Sequence, residues 1–278
     1  MGSPAESFVL FGQLTDTHVV ARDAGGNIAD EVWVDNNARL AEAVAALDAE
    51  TPTLAAVLGT GDLTNTAQPE EYRNLAELMA PLTVPFLPIP GNHDDRDLLR
   101  STFPDMPWID AAHASWVTVV SGVRIIGLDS TIPGLPGAAF DAEREEWLGS
   151  VLGDAHDGPT LLTVHHPPFA TGVDWMDRSG FLGLDRLTAV LTEHPVDRVL
   201  SGHFHRPVTS TIAGIPAQVC LSTVQHVDLD LRVDAPPSLI LDPVGYQIHR
   251  IAGADIVTHT RYIATGAQRI APGWARES

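Results

Sequence analysis

The chain contains no lysine, and Cys220 is its single cysteine. One thiol cannot form an intrachain disulfide, and no cage of cysteine ligands can be built around a metal. All sixteen basic residues are arginine, and they face 36 acidic ones, a net charge of −20. Duplex nucleic acid and anionic membrane surfaces select the opposite sign, so neither is expected as a partner. Long apolar runs are missing too. The longest near the N-terminus, Phe8 to Phe11, is too short to cross a bilayer and has no basic leader. A cytoplasmic protein is expected. Disorder is equally disfavoured, because 44% of residues are apolar and only 19% charged. At 278 residues the chain can bury enough surface to fold without a disulfide or a structural metal. Histidine, with twelve copies, is what the sequence has in excess.

Apolar runs ending in polar clusters alternate with helical patterns through the first two-thirds of the chain. FVLFGQLT reads as a strand that stops at Asp16-Thr17-His18. Asp35 to Ala49 has helical spacing, with Leu40, Val44 and Leu47 on one face. TLAAVLGTGD and VPFLPIPGNHD are further short strands, separated by a helix over Glu70 to Ala80 that has Pro69 at its first turn. WVTVV and VRIIGLD form a hairpin through Ser121-Gly122. Helices are predicted over Asp141 to Leu152 and Phe181 to His194, and strands at PTLLTVHH and DRVLSGHFH. From about 207 to 263 the pattern is β-rich, followed by a short surface tail containing Trp274. No linker interrupts the chain, so residues 1–278 are read as one α/β domain.

The polar clusters carry the chemistry. Open α/β sheets bind ligands beyond the carboxyl ends of their strands, and five such ends are polar here. Asp16-x-His18 places a carboxylate and an imidazole two residues apart, on the same side of an extended segment. Gly61-Asp62 exposes a carboxylate, whose two oxygens can bridge two cations, at a glycine turn. In Gly91-Asn92-His93-Asp94, Asn92 offers a neutral oxygen ligand and His93 stands beside it. His165-His166 is followed by two prolines that stiffen the exit. Adjacent side chains diverge in an extended chain, so one of this pair is expected to be a ligand. Gly202-His203-Phe204-His205 repeats the i, i+2 arrangement. This set of oxygen and nitrogen donors, without sulfur, suits Mn, Fe, Zn or Co better than Ca or Mg.

D-x-H, G-D, G-N-H-D, H-H-P-P and G-H-x-H in that order resemble the calcineurin-like metallophosphoesterase superfamily, from about Phe8 to Pro207. Within it, QLTDTH, GTGDLTNTAQPEEY, IPGNHDD, VHHPPF and SGHFH are most similar to class III cyclic-nucleotide phosphodiesterases and bacterial glycerophosphodiesterases. The resemblance implies a four-layer αββα sandwich, two mixed sheets flanked by helices, around two divalent metal ions. It implies Asp16, His18, Asp62 and His205 on one metal. On the other it implies Asp62, Asn92, His165 and His203, with Asp62 shared. His165 is matched, and not His166, because it stands directly before His-Pro. His93 would contact the phosphate and assist the leaving group, with Asp62 and Asn92 as its catalytic neighbours. The implied reaction is hydrolysis of a small phosphodiester, a 3',5'-cyclic nucleotide or a glycerophosphodiester, by a hydroxide bridging the metals. A phosphomonoesterase, or a metal-binding scaffold of the same fold, is the alternative. A homodimer built through the segment after Pro207 is expected. Asn65, Trp175 and His226 are open candidates for substrate contact.

Overall fold

The computed structural model describes residues 8–22, 27–29 and 32–263. The expected tail with Trp274 lies outside these. The main strands are, in chain order, β1 (Val9–Leu14), β2 (Ala56–Thr60), β3 (Phe86–Ile89), β4 (Trp116–Val120), β5 (Val123–Leu128), β6 (Thr160–Val164), β7 (Arg198–Ser201), β8 (Val208–Ile212), β9 (Ile215–Val219), β10 (Gly245–Ala252) and β11 (Asp255–Tyr262). The helices are α1 (Asn36–Asp48), α2 (Pro69–Met79), α3 (Arg96–Thr102), α4 (Ala142–Gly153), α5 (Asp174–Asp177) and α6 (Leu184–Glu193).

Two mixed sheets stack face to face. One has the order β11-β10-β1-β2-β3, the other β8-β9-β7-β6-β5-β4. Between them Phe11, Leu58 and Ile89 from the first meet Trp116, Ile125, Leu161 and Leu200 from the second. The outer face of the first sheet is covered through Leu40, Val44, Leu47, Leu75 and Met79, whose helical spacing makes α1 and α2 amphipathic. Leu148, Leu152, Leu187 and Leu191 do the same for α4 and α6 on the second. The order of layers is therefore αββα, as the resemblance implied.

Local chemistry sets the helix starts. The Asp35 carboxylate accepts the Ala38 N–H, and Asp141 accepts that of Arg144. Glu71 reaches back to the Gln68 N–H and closes the start of α2. One prediction needs correction. The helix expected from Phe181 begins at Leu184, because Phe181–Leu182 pairs as a strand with Ala138 and Ala139. Gly183, at φ +76°, makes the turn between them.

A buried polar link crosses the interior behind the strand ends. The Gln13 amide on β1 donates to the Thr60 hydroxyl on β2 at 2.9 Å and to the Ser201 carbonyl on β7 at 3.1 Å. Its oxygen faces His249 Nε2 on β10 at 3.0 Å, and His249 Nδ1 meets the Thr258 hydroxyl on β11 at 2.9 Å. Burial, with the charge of Arg198 nearby, pushes the His249 pKa down to about 3. An unfolded chain takes up that proton near pH 6.5, whereas the folded chain refuses it until about pH 3. The unfolded state thus binds more protons in this window, and stability falls as the pH drops through it. Between pH 7 and pH 5 this one group should cost about 2 kcal/mol. Thermal melts of wild type and His249→Gln, both with chelator, should diverge accordingly, with the variant less sensitive to acid. Parallel pH profiles would refute the assignment.

Candidate metal centre

The loops after β1 and β2 leave the sheet side by side. Asp16, His18 and Val19 donate their backbone N–H groups to the carbonyls of Gly61, Asp62 and Leu63 at 2.9–3.0 Å. The loop is clamped from behind by three amides. Asn36 donates to the His18 carbonyl, Asn37 bonds both backbone groups of Val20, and Asn74 donates to the Val20 carbonyl. The opposing loop is held by Asp94, which accepts the N–H groups of Leu63, Thr64 and Gly91 at 2.9–3.0 Å. Burial, together with the nearby Asp62 charge, raises the Asp94 pKa to about 6, and those bonds oppose the rise.

The extended geometry expected for D-x-H and H-x-H is not what brings these pairs together. Asp16, His18, Asp62, His203 and His205 all have positive φ, between 42° and 69°. Five non-glycine residues in the left-handed region are a local cost, held here by the surrounding bonds and buried packing. The strained turns aim the side chains at one point. One ligand atom each from Asp16, His18, Asp62 and His205 lies within 4.8 Å of the others, and all four residues are buried.

The donor set fits a cation. His205 Nδ1 donates to the Gln225 carbonyl at 3.0 Å, so its Nε2 turns inward, 3.3 Å from Asp16 Oδ1 and 3.2 Å from His18 Nε2. His165 Nδ1 donates to the Thr60 carbonyl at 2.8 Å. Its Nε2 then faces Asp62 Oδ2 at 3.4 Å and Asn92 Oδ1 at 3.2 Å. Lone pairs converge on both points, and positive charge is the natural occupant. Protonation of the free protein follows the same logic. Burial disfavours charge on His165, but Asp62 and then Asp16 outweigh it, and the pKa rises to about 9. His18, dominated by burial, falls to about 3.

Asp62 stands between the two groups, with Oδ2 also 3.9 Å from His18 Nε2. Its Oδ1 accepts the His93 N–H at 2.8 Å. The His203 N–H is directed at the Asp16 carboxylate, 3.0 and 3.1 Å from its two oxygens, and the His203 ring lies 5.1 Å from that of His165. His166 is closer than diverging neighbours would place it, since it joins His165 and His203 in a second convergent group. Its ring nitrogens, however, face the Ser130 hydroxyl at 2.8 Å and the Pro136 carbonyl at 3.2 Å, whereas His165 keeps a nitrogen turned inward.

A cavity of 560 Å³ opens over this centre. His18, Asp62, Asn92, His203 and His205 form its floor, with His93 and Asn65 at one side. Trp175 and Met176 on α5, with Pro136, Val227 and Leu239, make an apolar wall. Of the open candidates, Asn65 and Trp175 reach this cavity. His226 does not line it: it is buried, and its neighbours Gln225 and Val227 face the cavity instead. Phe169 lines a separate, smaller cavity with His166 and Phe181. Sequence reasoning missed Asn36 and Gln225. Each stands beside a recognised element, yet neither carries a motif that marks it.

A two-sheet sandwich whose strand ends present paired carboxylate and histidine groups defines a class of metal-dependent phosphoesterases. Residues 9–207 match the Calcineurin-like phosphoesterase family, and the chain belongs to that family. It is 34% identical over 255 residues to a protein of Arcobacter nitrofigilis named "Probable glycerophosphodiester phosphodiesterase GpdQ", covering 90% of this chain and 92% of the relative. It is equally 34% identical over 255 residues to a "Probable cyclic nucleotide phosphodiesterase" of Rhodopseudomonas palustris, covering 90% of each chain. Among solved structures, a dimetal phosphatase from Danio rerio superposes with a TM-score of 0.68 over 92% of this chain and 96% of that one. At 15% identity it shares the fold. No helix among the described residues is long and apolar enough to cross a membrane.

Proposed function

We propose that this chain is a cytoplasmic hydrolase of small phosphodiesters that works with two divalent metal ions. The first would be held by Asp16, His18, Asp62 and His205, the second by Asp62, Asn92, His165 and His203. Bound there, the ions would supply Lewis acidity and lower the pKa of water at the site. The chain's own groups do the rest. Asp62 and Asn92 fix the floor. His93, anchored by the 2.7 Å bond of its Nδ1 to the Asn65 carbonyl, presents Nε2 to the cavity to protonate a departing alcohol.

The observation that carries the reading is the cavity's charge. Among the described residues lining it there is no arginine, and the chain has no lysine. A monoester dianion benefits from such cations, whereas a diester carries one negative charge and needs fewer. The relatives' names favour glycerophosphodiesters and cyclic nucleotides as substrates. The exposed apolar residues Leu229, Leu231, Val233, Leu239 and Leu241 support a homodimer formed after Pro207, which light scattering would read.

The test is direct. Protein stripped with chelator and reloaded with manganese should hydrolyse a nitrophenyl diester in preference to the matching monoester. Asn92→Ala should abolish that activity, which excludes a contaminant. A preference for the monoester would move the assignment to a phosphatase. Inactivity on both with two metals bound would favour a scaffold.

A further inference from the structure

Three cavities border the centre, and His93 stands on the boundary between two of them, the one over the floor and a second. The second is a cleft of 560 Å³ beside α3. It shares only Asn65, Thr66, Asn92 and His93 with the cavity over the centre. His18, Asp62, His203 and His205 all line the first cavity, and of the proposed ligands only Asn92 reaches the second. We propose that the α3 cleft is the subsite for the leaving alcohol, and that the enzyme is built for open-chain diesters whose leaving alcohol is small and hydroxylated. This rests on the phosphodiesterase reading above.

The geometry points one way. A phosphorus held over the carboxylate and histidine floor lies in the first cavity. One ester arm can lie along the apolar wall of Trp175, Met176 and Leu239. The other can leave past His93 into the α3 cleft, while the third cavity, past His203 and Met176, continues the apolar side. The breaking P–O bond needs a proton donor at its oxygen, and His93, which lines both cavities with its Nδ1 held by the Asn65 carbonyl, can supply it from Nε2. The oxygen of water bonds to phosphorus as that P–O bond breaks, and the bonding pair stays on the alcohol oxygen. That oxygen takes the proton from His93, the attacking water releases one to solvent, and His93 is reprotonated from solvent.

The two walls differ in chemistry. The cleft's lining sets the polar Asp95, Arg96, Asp97, Arg100 and Thr131 beside the apolar Ala112, Ile132 and Pro133. Its arginines are already engaged. Arg96 holds Asp129 at 2.5 Å and the Thr131 carbonyl at 2.7 Å, and Arg100 donates to the Ala111 and His113 carbonyls at 2.9 Å. They make a polar surface, suited to hydroxyl groups and not to a second phosphate. A 3',5'-cyclic nucleotide carries both ester oxygens on one ribose, so its arms cannot diverge into two cavities.

The test fills the cleft without touching the centre. Ala112 and Pro133 are exposed residues on its wall, and Ala112→Trp and Pro133→Trp are two independent ways to occlude it. The probes are glycerophosphoglycerol, whose two arms are identical glycerols, and 3',5'-cyclic AMP. Both variants should keep the wild-type metal content and melting temperature. Both should lose at least tenfold in kcat/KM on glycerophosphoglycerol and stay within twofold on cyclic AMP. Unchanged turnover of glycerophosphoglycerol would overturn the proposal, as would an equal loss on both substrates. Metal-loaded wild type inactive on both probes would overturn the phosphodiesterase reading itself, and is told apart because the failure precedes any substitution.

Discussion

Asp62→Ala should reduce kcat/KM by about 10⁴ or more and lower the metal content from two ions per chain to one or none. The size of the effect follows from position. Oδ2 faces His165 at 3.4 Å and His18 at 3.9 Å, so a single side chain serves both donor groups. Oδ1 accepts the His93 N–H at 2.8 Å and helps place the residue assigned to the leaving group. Alanine removes the charge, the proposed shared ligand and that acceptor together. Asp62→Asn keeps the shape and one carbonyl oxygen, so it should fold with an unchanged far-ultraviolet spectrum while still binding metal poorly. Metal analysis beside steady-state kinetics checks both. Two tightly held ions and full turnover in Asp62→Ala would remove Asp62 from the centre.

Gly91→Ala should be nearly as damaging, although glycine has no functional group. A Cβ at Gly91 would overlap the backbone nitrogen and Oδ1 of Asp62, and neither is the flexible tip of a long chain. The Gly91 N–H is also bound by Asp94 at 2.9 Å, so the loop cannot simply retreat. We expect at least a 10³-fold loss of kcat/KM, weaker metal binding, and a destabilisation of about 2 kcal/mol or more, in the range of overpacked cores. Gly149→Ala is the control. It lies in α4, where an added Cβ would meet nothing within 4 Å. It should leave activity intact and gain about 0.5–1 kcal/mol from helix propensity. Wild-type activity in Gly91→Ala would show that the loop yields where the structure packs it tightly.

Legibility of this protein in its sequence varies with the range of the forces involved. Strand ends and helix starts depend on neighbours a few residues apart, and these are readable. Asp35, Asp141 and Pro69 mark helices where expected, and β1, β2, β3, β6 and β7 each end at a polar cluster. The short helices α3 and α5 escape a sequence reading. Each is too brief for periodicity to stand out, and α3 starts where Asp95 accepts the Asp97 and Leu98 N–H groups. The Phe181 strand reads as helix in the sequence because its pairing partner lies some forty residues away in the chain.

By itself the sequence determined the alternation of strands and helices, the order of the motifs and the kinds of donor they present. Those properties are carried by local spacing, burial pattern and side-chain chemistry. Only the tertiary structure decided how the donors converge. Five ligand candidates turn inward through left-handed backbone that no spacing rule anticipates, and bonds between loops far apart in sequence hold that strain. It also decided that His165 points at Asp62 while His166 is occupied by Ser130 and Pro136. Finally, it set His93 between two cavities. A cavity is made by walls from distant segments, and its shape is a property of their packing, not of any one stretch of chain.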